Sequence, residues 1–139
     1  MSYKTIKLKK YGDIINEYPA GGTILPGSQV TLNSDGQVIV NATAGGPAPG
    51  NFALEDELQG KTTRDAYSTG DSVQVWSVQP GEEVLALVDD AFDPDVGAIL
   101  EPAAGGELRA HSAGEAMFQV IGEKIVDDED NHRVPVRRL

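Results

Sequence analysis

The sequence predicts an all-β chain: a small β-barrel or sandwich of short antiparallel strands, preceded by an extended N-terminal arm. Three observations carry this. The 139 residues hold 16 Gly and 8 Pro but only 6% aromatic side chains, which favours short strands and tight turns over long helices. Runs rich in Val, Ile and Thr recur along the chain, each ended by Gly, Pro, Asn or Asp. Asp35-Gly36 between two β-branched runs is a strong hairpin signal. The length suits one domain, and 40% hydrophobic content is enough for one core.

Residues 1–22 read as the arm and residues 23–139 as the body. Tyr3 to Leu8 alternates but is too thinly apolar for a core strand, and Pro19 with Gly21-Gly22 interrupts any ladder after it. The arm carries Tyr3, Lys4, Lys7, Lys9, Lys10, Tyr11 and Tyr18, amphipathic rings beside cations, which suit docking on an acidic protein surface. Deleting the arm is expected to leave the body folded.

Within the body, residues 29–32 and 37–41 flank Asn33-Ser-Asp-Gly36 as a hairpin. Residues 42–50, ATAGGPAPG, hold no regular structure and are small enough for another backbone to come close. Residues 55–59 suit one or two helical turns, with acids at the start and Gly60 as the stop. Residues 72–78 and 83–88 read as a second hairpin around Pro80-Gly81. The segment from Val84 to Val88 is apolar on both faces, which calls for protein on both sides, from its own core or another subunit. Trp76, Val84, Leu85 and Leu87 are therefore candidates for a subunit interface. Residues 97–101 and 108–111 form a third pair, and residues 116–126 and 133–137 supply the last strands. Pro135 cannot donate to a ladder, so the last strand is expected at a sheet edge.

Charge is uneven along the chain. Lys4, Lys7, Lys9 and Lys10 at one end and Arg133, Arg137 and Arg138 at the other sit in segments without an acid, so four basic residues face all 22 acidic ones in residues 11–132. Such a body repels nucleic acid and anionic surfaces, while its two ends suit an acidic protein. No nucleic-acid or membrane partner is expected: there is no apolar run of about 18 residues to span a bilayer, and no signal-peptide core near the N-terminus. The acidic loop Asp89, Asp90, Asp93, Asp95, taken with Glu101, invites a calcium reading, but its spacing fails. From Asp93 the fifth position is Gly97, and from Asp89 the third is Ala91. Residues 127–130 beside His132 read as a charged hairpin tip. Neither His111 nor His132 belongs to a nucleophile-elbow, zinc-protease or phosphate-loop motif, so no enzymatic activity, cofactor or metal is expected.

Phe52-Ala-Leu-Glu-Asp-Glu-Leu-Gln-Gly-Lys61, then Asp65-Ala-Tyr67 and Gly70-Asp-Ser-Val-Gln-Val-Trp76, resemble the middle of the decoration, or cement, proteins that stud the capsids of tailed bacteriophages. Leu25-Pro-Gly27, Leu32-Asn-Ser-Asp-Gly36 and Ala42-Thr-Ala-Gly-Gly46 fit the same family upstream. Gly97-Ala-Ile-Leu-Glu101, Gly106-Glu-Leu-Arg109 and Val134-Pro-Val-Arg-Arg138 fit it downstream, so the similarity runs from Leu25 to the C-terminus. The resemblance implies a compact, β-tulip-like barrel body that forms a homotrimer at three-fold positions. It implies a partner, the major capsid protein, and a location on the outer capsid surface of the virion after synthesis in the host cytoplasm. A carbohydrate-binding β module on a virion or cell surface is the alternative, and it requires an exposed aromatic platform drawn from four Tyr, three Phe and one Trp.

Overall fold

A computed structural model describes residues 5–10, 15–45, 50–128 and 131–139. The chain is all-β, in two antiparallel sheets. The first runs in the order β1 (Lys7–Lys9), β7 (Glu83–Leu87), β12 (Asn131–Arg138), β10 (Phe118–Val120), β8 (Ile99–Pro102), β9 (Leu108–Ala110), with β11 (Ile125–Asp128) also paired to β12. The second runs β2 (Ile15–Pro19), β6 (Ser72–Ser77), β5 (Asn51–Ala53), β3 (Gln29–Leu32), β4 (Val38–Val40). Lone bridges from Ala20 to Val38 and from Val88 to Leu108 draw strands together without closing a barrel. The helical turn expected over residues 55–59 is a single 3-10 turn at Glu57–Gln59, ended as expected by Gly60 at φ 73°.

The hairpins at β3–β4 and β8–β9 form as the turn residues dictate. Asn33 fixes the first by accepting the N–H groups of Asp35 and Gln37 on its Oδ1, at 3.0 and 2.9 Å. The hairpin expected around Pro80-Gly81 does not form, because β6 lies in the second sheet and β7 in the first. Glu82 N–H donates to Gln79 O at 3.0 Å, with Pro80 first and Gly81 second at the turn's centre and Gly81 at φ 91°. A turn of this type II pattern splays its flanking strands instead of matching their twist. The chain therefore crosses between sheets here, and the turn is pinned to β12 by Gly81 N–H to Arg138 O (2.8 Å) and Arg138 N–H to Glu82 O (3.0 Å).

Pro135 does not mark an edge. β12 lies inside its sheet, with β7 along one side and β10 and β11 on the other. The missing N–H falls where that second neighbour is interrupted, between the Val120–Val136 and Ile125–Arg133 pairs. Pro135 O accepts the Ile121 N–H at 3.0 Å on the same side, and a Cβ on Gly122 would come within 2.7 Å of the proline ring.

The larger core lies between the sheets. Phe52 and Phe118 meet edge to face in it, with centroids 5.4 Å apart. Trp76, Val84, Leu85 and Leu87, candidates for a subunit interface, are buried within this one chain, none more than 7% exposed. Both apolar faces of β7 are covered by its own body. A second core, with Val30, Val38, Val73 and Val75, is enclosed by the other sheet, and the Tyr67 hydroxyl there donates to Leu54 O at 2.6 Å. Burial pushes that phenol up to about 12.

The described part of the segment read as an arm is built into the body. Ile6 is fully buried in the larger core, β1 pairs with β7, and β2 pairs with β6 over five residue pairs from Ile15–Trp76 to Pro19–Ser72. Ala20 is buried in the second core. Ile6 N–H donates to Glu55 Oε2 at 3.0 Å and Leu85 N–H to Ile6 O at 2.8 Å, so a single apolar residue is held from two directions. The thin apolar content misled because one well-placed Ile suffices when its neighbours are tied by backbone bonds. Ile6→Ala should lower unfolding stability by about 2–4 kcal/mol, measured as the urea midpoint, whereas a frayed terminus would give no change. The deletion of residues 1–22 removes outer strands of both sheets and should abolish cooperative unfolding.

Candidate interaction surface

The two basic ends of the sequence are brought together by β7. Glu83 is paired with Lys9 of β1 on one side and with Arg137 of β12 on the other, Arg137 Nε lying 3.9 Å from Glu83 Oε2. Lys7 pairs opposite Val84 one step along. Lys9, Lys10 and Arg137 are exposed and Lys7 is half-buried, which makes a basic edge at one end of the first sheet. In a chain of net charge −11, this patch offers an acidic partner a local attraction that the body as a whole lacks.

Not every basic residue of the two ends joins it. Arg138 donates from Nη1 to Val78 O and packs on Gly50, so it fastens the end of β6. Arg133 is completely buried where the sheets meet. Tyr18 is half-buried against the second core, not extended from the body. Tyr3, Lys4 and Tyr11 lie outside the described residues.

The acidic residues weighed as a calcium loop are dispersed by the fold. Lys124 Nζ bonds Asp93 Oδ1 at 3.1 Å and Asp90 O at 2.7 Å, tying the loop to the strand region after β10. Glu101 points elsewhere, fully buried on β8. Its Oε2 accepts from Arg109 Nε and Nη2 at 2.9 and 2.6 Å, and its Oε1 accepts the N–H groups of Ser112 and Gly114 at 2.7 and 3.0 Å. This clasp presses Gly114 onto Gly45, where a Cβ on Gly114 would stand 2.4 Å from Gly45 Cα. That is the close backbone approach anticipated for the small residues of the 42–50 loop. Among the described residues, no group of three His, Asp or Glu side chains converges to hold a metal ion. Trp76, Phe52 and Phe118 are fully buried, so none of these three rings forms an exposed stacking platform.

Comparison with protein-family models gives no match to the chain, and no curated protein matches it either.

The Ser112 N–H first, and Arg109 next, lower the Glu101 carboxyl to about 2 from its ordinary 4.5. A carboxyl depressed in the folded state stabilises fully above pH 4.5 and loses that contribution as pH falls toward 2. Glu55 and Glu107 are raised, mainly by burial, and act in the opposite sense. The difference between wild type and Glu101→Gln therefore isolates the clasp: the variant should be less stable at neutral pH, with the gap closing as the solution is acidified below pH 4.5, followed by urea midpoints across that range.

Proposed function

We propose that the protein is a structural capsid decoration, or cement, protein that binds the outside of a phage head and stabilises contacts between copies of the major capsid protein. The observation that carries this reading is the basic edge of Lys7, Lys9, Lys10 and Arg137 gathered across β7 from opposite ends of an otherwise acidic chain. The sequence resemblance from Leu25 to the C-terminus supplies the class of partner. A body with two hydrogen-bonded sheets, its first and last described strands both paired to β7, is a stiff spacer, suited to clamping neighbours.

A homotrimer at three-fold positions belongs to the same reading, because three weak attachments in one particle raise one another's effective concentration. Its contacts must use surface other than Trp76, Val84, Leu85 and Leu87, which the chain buries within itself. Capsid docking then falls to the folded edge of β1 and the end of β12 instead of a free arm.

Co-sedimentation with purified heads that lack the protein tests the reading. Wild type should pellet with heads, and Lys9→Glu combined with Arg137→Glu should weaken binding about tenfold at low salt, the deficit shrinking as salt is raised. Native mass spectrometry of the free chain, beside image reconstruction of decorated heads, reports the trimer. Wild type that stays in the supernatant, or a double variant that binds as tightly, would sink the proposal.

A further inference from the structure

A second charged feature lies at the opposite end of β7. Where that strand leaves the sheet and Val88 bridges to Leu108, the loop after Thr23, the end of β4 and the β8–β9 turn leave a cleft of about 390 Å³. Its rim is Asp89, Asp90 and Glu107, and none of the residues lining it is basic. Leu25 and Val40 contribute aliphatic surface to its largely polar lining. At its floor lies Ser28, only 2% exposed, whose hydroxyl makes no hydrogen bond among the described residues. With no partner among those residues, that hydroxyl is left to bond whatever group enters the cleft.

We infer that this cleft receives the cationic side chain of a partner polypeptide, an arginine best of all. Aliphatic side chains beside three carboxylates and a hydroxyl oxygen are the complement of a side chain with an apolar stem and a charged head. The volume lies within the roughly 300–1,000 Å³ usual for ligand sites, so a long side chain enters together with the backbone that carries it and some water. The carboxylates do not converge as metal ligands, whereas a planar guanidinium with five donors can serve acceptors spread around it. Glu107 is held above the usual carboxylate range by burial and then by Asp89 and Asp90, so the rim carries negative potential that nothing lining the cleft offsets. Asp89 itself is lowered by the Ala91 N–H and then by the Asp90 side chain, with Lys124 and His132 as weaker, more distant influences. Lys124 is directed to Asp93 and the Asp90 carbonyl, leaving the cleft side of the loop to the incoming cation.

The inference goes beyond the decoration reading and does not need it, because the purified chain alone is tested. The peptide acetyl-Gly-Arg-Gly-Arg-Gly-amide is titrated into the full-length, isotope-labelled protein and amide shifts are followed by NMR. Saturable shifts should centre on Ser28, Val88 to Asp90 and Glu107. Glu107→Gln and Asp90→Asn should each weaken the peptide about fivefold, while Asp35→Asn, which removes the same charge from the exposed β3–β4 turn, leaves it unchanged. Shifts spread evenly over the acidic surface, or equal losses in Asp35→Asn and the cleft variants, would show diffuse attraction and overturn the site. Calcium chloride saturating the same residues more tightly than the peptide would overturn it in favour of a metal. The wild-type shift map decides the question even where a variant folds poorly.

Discussion

Arg133 carries a guanidinium to a place water does not reach, and the junction of the two sheets is built around satisfying it. Its Nε and Nη2 donate to Pro26 O at 3.2 and 2.9 Å, and Nη2 donates again to Thr63 O at 2.5 Å. The adjacent Gly27 donates its N–H to Ala53 O at 2.8 Å and accepts the Leu87 N–H at 2.9 Å, joining β5 of one sheet to β7 of the other. Gly27 sits at φ 91°, and a Cβ there would lie 3.1 Å from both Arg133 Nε and Leu85 O. One turn therefore stitches both sheets by backbone and is itself capped by a buried charge. Such a charge is tolerated only while its donors are met, so the junction is fixed in geometry to a degree an apolar contact would not impose.

That junction also explains why the sequence was legible in parts. The β3–β4 and β8–β9 hairpins are local: Asp35-Gly36 and Gly105-Gly106 set φ values that their own neighbours need, so the signal and its cause lie within a few residues. Pro80-Gly81 is equally local as a turn, yet whether the flanking strands pair depends on Arg138, far away in sequence, holding Gly81 and Glu82. Pro135 reads as an edge signal because the rule concerns a neighbour's N–H demand, and the gap between β10 and β11 that removes this demand is visible only in register. Ile6 and Arg133 failed in opposite ways. A lone Ile among lysines looked too weak to fold, and an arginine beside two others looked like surface, because burial is decided by distant partners, Glu55 and Pro26.

The candidate sites show the same division. The basic ends were evident as charge runs, but only the pairing of β1 and β12 on either side of Glu83 makes them one surface. Asp89 and Asp90 were evident as an acidic loop and were weighed for metal. Ser28 and Glu107, which turn that loop into a lined cleft, come from distant hairpins and carry no motif of their own.

β7 thus separates two opposite charges by its own length. From Glu83 to Val88 a strand spans about 17 Å, beyond the roughly 10 Å over which charges interact at 0.1 M salt. The two ends are therefore electrostatically independent near that ionic strength. At long range in dilute salt the net charge of −11 governs instead, and it repels any acidic surface before the basic edge is close enough to be felt. Salt then has two opposed effects on the docking proposed above: it screens the approach of the whole chain and so speeds encounter, while it weakens the short-range pairs and so speeds release. An acidic body with one basic edge gains selectivity from this opposition, since only a partner presenting acids at that edge, in register with Lys9 and Arg137, offsets the repulsion of the rest.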